Sequence, residues 1–221
     1  MIFRIGKDHW LEGVQRVPLP PRGAMRVRRY VVEHFTGGAD GDGDTDGDHV
    51  KDAYSAVDAM RDRGVSAHIV VDRDGTVIQC VAFDQKAWHA GASRWRDPKT
   101  GVLYSSAAKQ GGNDCAIGIE IANAGSDPGA LAWARKQKGF QSIQGRHRNG
   151  GPVMEWECFP APQMEAVTAV TLAVVKRYNL DDVTGHDCIA SWRKDDPGFA
   201  FPMAALRRAC GFQGLPEVFR A

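Results

Sequence analysis

Apolar and polar positions alternate along this chain in short runs separated by turn-forming clusters, and a few stretches carry a helical period. Tyr30-Val31-Val32-Glu33-His34-Phe35 is apolar and β-branched, and Thr36-Gly37-Gly38 closes it. This predicts a strand over about 29–35 that ends in a turn. Tyr54, Val57 and Met60 share helical spacing and Gly64 supplies a stop, which predicts a helix from about His49 to Arg63. Strands near 67–73 and 76–82 flank Asp74-Gly75, a hairpin turn. Ala116 to Asn123 is a nearly continuous apolar run with one carboxylate, Glu120, in its middle, and reads as a buried strand. Met164, Val167, Thr171, Val174, Val175 and Tyr178 fall on one face of a helix from about Pro162 to Tyr178. A short helix is expected over about 202–210, and residues 124–159 are expected to be irregular. Strands interleaved with helices predict an α/β fold: a single domain with a central mixed β-sheet flanked by helices. Residues 1–28, basic and Pro-rich around Pro18-Leu19-Pro20-Pro21, read as an N-terminal arm packed on a domain of residues 29–210, with 211–221 as a C-terminal tail.

Composition changes this picture little. The chain has 221 residues and a formal net charge of +1, which favours neither nucleic acid nor a strongly charged partner. One local exception is the basic stretch Arg135–Arg148, expected as a solvated loop or as an attraction for anionic polymers. No apolar run approaches the roughly 20 residues that span a membrane. The first ten residues lack the apolar core of a signal peptide, so synthesis in the cytoplasm is the expectation. The five cysteines are scattered and odd in number, which suits a reducing compartment and buried thiols. The Gly/Asp-rich loop over 36–49 holds Asp42, Asp44, Asp46 and Gly47, as a calcium loop begins, but Ala53 stands where a bidentate Glu is required. A solvated acidic loop is expected, with weak calcium binding as the lesser alternative.

The chemistry concentrates in Gly185-His186-Asp187-Cys188-Ile189-Ala190-Ser191-Trp192-Arg193-Lys194-Asp195-Asp196-Pro197-Gly198. His186 and Asp196 lie ten residues apart in a loop stopped by Pro-Gly, and His34 ends a strand elsewhere. Two imidazoles and one carboxylate give zinc three protein ligands and leave a position open for water, the pattern of a catalytic site. Zinc lowers the pKa of such a water to roughly 7 and polarises a carbonyl. Glu120 is the candidate general base, because a carboxylate inside an apolar strand needs a cation or a proton. Lys194 is the candidate for stabilising the oxyanion of a tetrahedral intermediate. Cys188, a soft ligand two residues from His186, is a lesser alternative to Asp196. Taken singly, each residue has an ordinary structural reading; their combination points to a site.

With these residues in place, the chain resembles the zinc-dependent N-acetylmuramoyl-L-alanine amidases, which share a fold with peptidoglycan recognition proteins. The resemblance runs from about Arg29 to about Leu206. His34 matches the family's first zinc histidine, Ser66–Val77 its central hairpin, Trp88-His89-Ala90-Gly91 a similar element, and Asn113–Glu120 the strand with the catalytic glutamate. His186, Lys194 and Asp196 keep the family's spacing. The resemblance implies a zinc-dependent hydrolysis of the amide between N-acetylmuramic acid and L-alanine in peptidoglycan or muropeptides. A domain of this kind that only binds peptidoglycan, without catalysis, is the alternative, and a zinc peptidase acting within the stem peptide would share the same residues. Trp88, His89 and Asn113 are expected to line a substrate groove beside the metal, and Trp192 to cover it. His68 is expected to support the site or the core. The chain departs from the family at Glu33, at Ala67, where some members carry a tyrosine, at Asp187-Cys188 and at Ser191-Trp192. A monomer is favoured, acting on imported fragments or reaching the wall by lysis.

Overall fold

The computed structural model describes residues 1–37, 52–108 and 111–220. The expected cation ligands Asp42, Asp44 and Asp46, and the expected helix start at His49, lie outside the described residues. In chain order the elements are β1 (Gln15–Arg16), β2 (Tyr30–Phe35), α1 (Ala53–Asp62), β3 (Ile69–Val71), β4 (Val77–Gln79), β5 (Arg94–Arg96) and β6 (Leu103–Ser105). They continue with α2 (Gly112–Cys115), β7 (Ala116–Ile121), α3 (Pro128–Ala134), β8 (Ser142–Arg146), β9 (Val153–Glu157), α4 (Ala161–Tyr178), β10 (Asp182–Gly185), α5 (His186–Ile189) and α6 (Met203–Ala209).

One six-stranded sheet organises the molecule, in the order β1-β4-β3-β7-β2-β10. Only β3 and β4 pair antiparallel; the other neighbours are parallel. Parallel strands need crossovers that cover the sheet, so central strands are buried on both faces. That is why β7 reads as an unbroken apolar run. On one face Val31, Ile117, Ile119, Ile121 and Val183 meet Ala166, Val167, Val170 and Val174 of α4 in the main core. On the other, Tyr30, Val32 and Ala116 pack with Trp95 and Ile189. Truncating a residue such as Ile119, which is fully buried, to Ala removes about 2–5 kcal/mol of stability.

The helix ends follow their local chemistry. Asp52 caps α1 by accepting the Ser55 N–H at 2.8 Å, and Gly64, at φ +64°, ends it with the Val65 N–H returning to the Met60 carbonyl. The helix buries Ala53, Ala56, Val57 and Met60, but Tyr54, expected on the inner face, is 42% exposed. Ahead of residue 29, β1 pairs with β4 in the main sheet, and Leu11, Leu19 and Met25 are buried.

The expectation of irregular structure over 124–159 is corrected. Asp127 caps α3, with Pro128 in its first turn, and β8 and β9 form an antiparallel hairpin. The basic stretch within it is not one solvated loop. Arg135 pairs with Glu155, His147 is buried, and Arg148 donates to the Cys188 sulfur and to the Pro216 carbonyl. Among the described residues no helix is long and apolar enough to cross a membrane.

Candidate active site

The sheet delivers half of the site directly. In the parallel register His34 of β2 faces Glu120 of β7, so both side chains leave the same face, side by side. β10 runs along the other edge of β2, and His186 follows its last residue. All three residues therefore stand at the carboxyl ends of parallel strands, where sheets of this kind open to ligands.

Asp196 comes from the far end of the loop over 186–198, which carries two of the three expected ligands and is the ligand loop of the candidate site. The Asp187 N–H donates to the Asp196 carbonyl at 2.6 Å, which pinches the loop shut and returns Asp196 to the side of His186. Gly185 permits this closure, because a Cβ there would meet the Asp187 carboxylate and, at 2.7 Å, Pro197. Asp196 Oδ2 lies 2.9 Å from His34 Nδ1 and 3.0 Å from His186 Nδ1. One ligand atom from each of these residues lies within 4.8 Å of the others, and all three residues are buried.

The remaining ring nitrogens are already committed. His186 Nε2 lies 3.1 Å from the Ala90 carbonyl. His34 Nε2 lies 2.9 Å from His89 Nδ1, and His89 Nε2 lies 3.3 Å from the Ala116 carbonyl. Donation from His34 Nε2 through His89 to the Ala116 carbonyl leaves the His34 Nδ1 lone pair aimed at the shared point, and His186, whose Nε2 also lies 3.2 Å from the Arg193 guanidinium, presents its Nδ1 there in the tautomer that donates to Ala90. Burial, and then the neighbouring His186, lower the His34 pKa to about 4 against the pull of Asp196, so His34 is neutral as ligation requires. Burial opposes ionisation of Asp196, but the His186 and His34 contacts prevail and hold its pKa well below the ordinary carboxylate range. Two imidazoles and a carboxylate fit a borderline metal such as zinc.

Glu120 has its pKa raised to about 8, first by burial and then by Asp196, with Lys194 pulling the other way. A carboxyl poised near neutrality suits proton transfer. Lys194 is exposed at the rim. Together with His34, His186, Asp196, His89, Trp88 and Glu120 it lines a cleft of about 360 Å³, which Ala56, Ala59 and Met60 of α1 and Arg63 just after it also line.

The structure separates the other expected residues. Trp88 is 49% exposed in the cleft. His89 is half-buried beside His34, and its ring lies so close over Gly118 that a Cβ there would stand 2.5 Å from it. Asn113 does not line the cleft: its Oδ1 accepts the backbone N–H groups of His89 and Ala90 at 2.9 and 2.7 Å and shapes that turn. Trp192 faces a neighbouring hollow and not the cleft. His68 sits in the core, its Nδ1 accepting from the Gly118 N–H and its Nε2 bonded to the Gln85 carbonyl. The convergent set holds Asp196 and not Cys188, whose thiol is directed to Asp187 and pushed up to about 12 by burial. Sequence reasoning missed His147 and Asn149, which hold the ligand loop from the β8–β9 turn. His147 Nε2 lies 3.2 Å from Asp187 Oδ2, and Asn149 donates to the Asp187 carbonyl at 2.7 Å. Their only sequence signal is polar side chains in a Gly-rich turn.

The profile of the N-acetylmuramoyl-L-alanine amidase family matches residues 23–199. The chain belongs to this family. It is 32% identical over 145 residues to the 1,6-anhydro-N-acetylmuramyl-L-alanine amidase AmpD of Citrobacter freundii, a stretch that is 65% of this chain and 56% of that protein. It is 29% identical over 178 residues to the N-acetylmuramoyl-L-alanine amidase AmiD of Escherichia coli, 76% of this chain and 52% of AmiD. The chain thus spans little more than half the length of these two curated relatives. A crystal structure of AmpD superposes with a TM-score of 0.58 at 27% identity, covering 92% of this chain and 97% of that one. AmiD of E. coli, solved with anhydro-N-acetylmuramic acid-L-Ala-D-γ-Glu-L-Lys, superposes with a TM-score of 0.56 at 24% identity over 95% of this chain and 66% of that one, which speaks to the fold.

Proposed function

We propose that this member of the amidase family is a zinc-dependent N-acetylmuramoyl-L-alanine amidase acting on muropeptides, including 1,6-anhydro forms. The observation that carries the reading is the convergence of His34 Nδ1, His186 Nδ1 and an Asp196 oxygen beside Glu120 at the carboxyl edge of the sheet. Those three residues would hold the ion. When bound, zinc would supply Lewis acidity toward the lactyl carbonyl and toward a water.

The chain's own residues perform the rest. Glu120 takes the proton of the attacking water and later delivers it to the departing alanine nitrogen. Lys194, at the rim facing the same point, offsets the charge that develops on the carbonyl oxygen. The apolar stripe Ala56, Ala59 and Met60 keeps one wall of the cleft dry, and Trp88 offers an aromatic face to the substrate. Relatives bearing amidase names act on, or were solved with, anhydromuramyl peptides, which supports that substrate class here. A binding module without catalysis receives no support from a site that keeps all three ligand positions and the acid.

The test is product identification. Zinc-loaded protein incubated with purified anhydromuropeptide should release intact stem peptide, seen by mass spectrometry. Release of shortened peptides with the muramoyl–alanine bond intact would make it a peptidase, and no release would end the amidase reading.

A further inference from the structure

The β8–β9 turn and the ligand loop enclose a second hollow, of about 490 Å³, that meets the cleft along a shared rim of Lys194 and Asp195. Asn149, Gly150, Gly151 and Trp192 line its far side. Two parts of the ligand loop face this hairpin. Asp187-Cys188 is held by His147, Arg148 and Asn149, and Ser191-Trp192 lines the hollow opposite them. The ligand loop and the hairpin thus form one construction.

Its chemistry suits a neutral sugar. Trp192 is 38% exposed, and the Arg94 guanidinium stands 5.5 Å from its ring centre and steadies it. Gly150 and Gly151, at φ +106° and +91°, present bare backbone, with nothing within 4 Å of where a side chain would stand. The Gly150 N–H and the Gly151 carbonyl are bonded within the hairpin, which leaves the Gly150 carbonyl and the Gly151 N–H to bond the hydroxyl and acetamido groups of a sugar whose C–H face packs on the indole. An acidic peptide is served less well. Lys194 and Asp195 stand together on the rim with opposite charges, and Arg193 is already committed to the Ala90 and Ala92 carbonyls. The α1 side of the cleft carries Arg63 instead. The platform is also pre-formed, since Arg146 holds the Gly151 carbonyl at 2.7 Å and Asn149 is tied to the ligand loop.

We propose that this hollow is a subsite for the sugar next to the muramoyl unit, so that the protein reads a disaccharide on the glycan side of the scissile amide. This rests on the amidase reading for its orientation: the lactyl carbonyl lies at the metal cluster, the stem peptide leaves along α1, and the glycan leaves over the Lys194–Asp195 rim.

Two measurements test it on the zinc-loaded protein. First, the peptide-free disaccharide N-acetylglucosaminyl-anhydro-N-acetylmuramic acid is titrated by calorimetry. It should bind, and Trp192→Ala should weaken that binding about tenfold while Trp192→Phe keeps most of it. Second, kcat/KM is compared for disaccharide-tripeptide and monosaccharide-tripeptide. The disaccharide should be preferred by about tenfold, and Trp192→Ala should erase the preference. An unchanged thermal midpoint for the variant excludes misfolding. Absence of disaccharide binding, equal use of both substrates, or equal losses on both in Trp192→Ala would each overturn the subsite. If neither muropeptide is cut, the amidase reading fails, and the disaccharide titration alone still decides whether the hollow binds sugar.

Discussion

His34 and Glu120 stand on neighbouring strands of a parallel sheet, whereas His186, Lys194 and Asp196 ride on or beside a loop that must be folded back upon itself. The strand-borne half needs nothing beyond its register: once β2 and β7 pair, with Val31 and Ile117 buried on the face opposite the site, the two side chains are neighbours. The loop-borne half is held by parts drawn from distant segments. The Asp187–Asp196 backbone bond closes it, the β8–β9 turn grips Asp187 from outside, and the C-terminal segment donates the Phe219 N–H to the Cys188 carbonyl at 2.8 Å. A sheet positions by cooperative pairing that single polar substitutions barely touch. A loop positions by a few discrete contacts, each of which can be removed.

Removing a ligand should not distinguish the halves. His34→Ala, His186→Ala and Asp196→Ala should each lose stoichiometric zinc, read by metal analysis after dialysis, and with it all hydrolysis. Glu120→Ala should separate chemistry from binding. It should keep zinc while the rate falls roughly 10²- to 10⁴-fold; full activity in that variant would remove Glu120 from the mechanism.

Support residues should then expose the asymmetry. His147→Ala or Asn149→Ala loosens Asp187, next to His186, and should weaken zinc binding about 10- to 100-fold in a chelator competition. The same competition on Thr171→Val, on α4 against the far face of β2, should show no change beyond about twofold. Equal losses from both would mean that the sheet and the loop are equally fragile.

The smallest effect is one of stability. Glu33 is buried and accepts from the Thr171 hydroxyl at 2.9 Å, but its Oε2 has no partner, and burial raises its pKa to about 8. The unfolded carboxyl ionises near 4.5, so between these values the folded state holds the extra proton. Its contribution to stability is complete below about 4.5 and is lost as pH rises toward about 8. Glu33→Gln should therefore raise stability at pH 8 by about 1–3 kcal/mol and leave it nearly unchanged at pH 4.5. Denaturant midpoints at the two pH values check this. An equal shift at both would mean that Glu33 is already ionised in the folded protein.

The same division governs what the sequence disclosed. The strands of His34 and Glu120 were legible because fully buried parallel strands write an apolar run with the functional carboxylate as its interruption. His186, Lys194 and Asp196 were legible as a dense polar cluster stopped by Pro-Gly, though nothing local said that the loop closes on itself. The β8–β9 hairpin was not legible: it lies outside the main sheet and leaves most of β8 exposed, so it lacks the alternation that betrays a strand. The short β10 was equally silent, four buried residues of mixed polarity. Asn113 and His89 were found as polar residues near the site, but their tasks depend on what lies behind them. Asn113 turns toward a backbone bend and His89 toward His34, which only the folded packing of Gly118 and Ala116 decides.

X-ray absorption at the zinc edge of the loaded protein tests the central claim most directly. A shell of nitrogen and oxygen ligands at about 2.0–2.2 Å, with imidazole scattering from two histidines and no sulfur, is the predicted result. A sulfur contribution near 2.3 Å would put Cys188 in place of Asp196 and contradict the account.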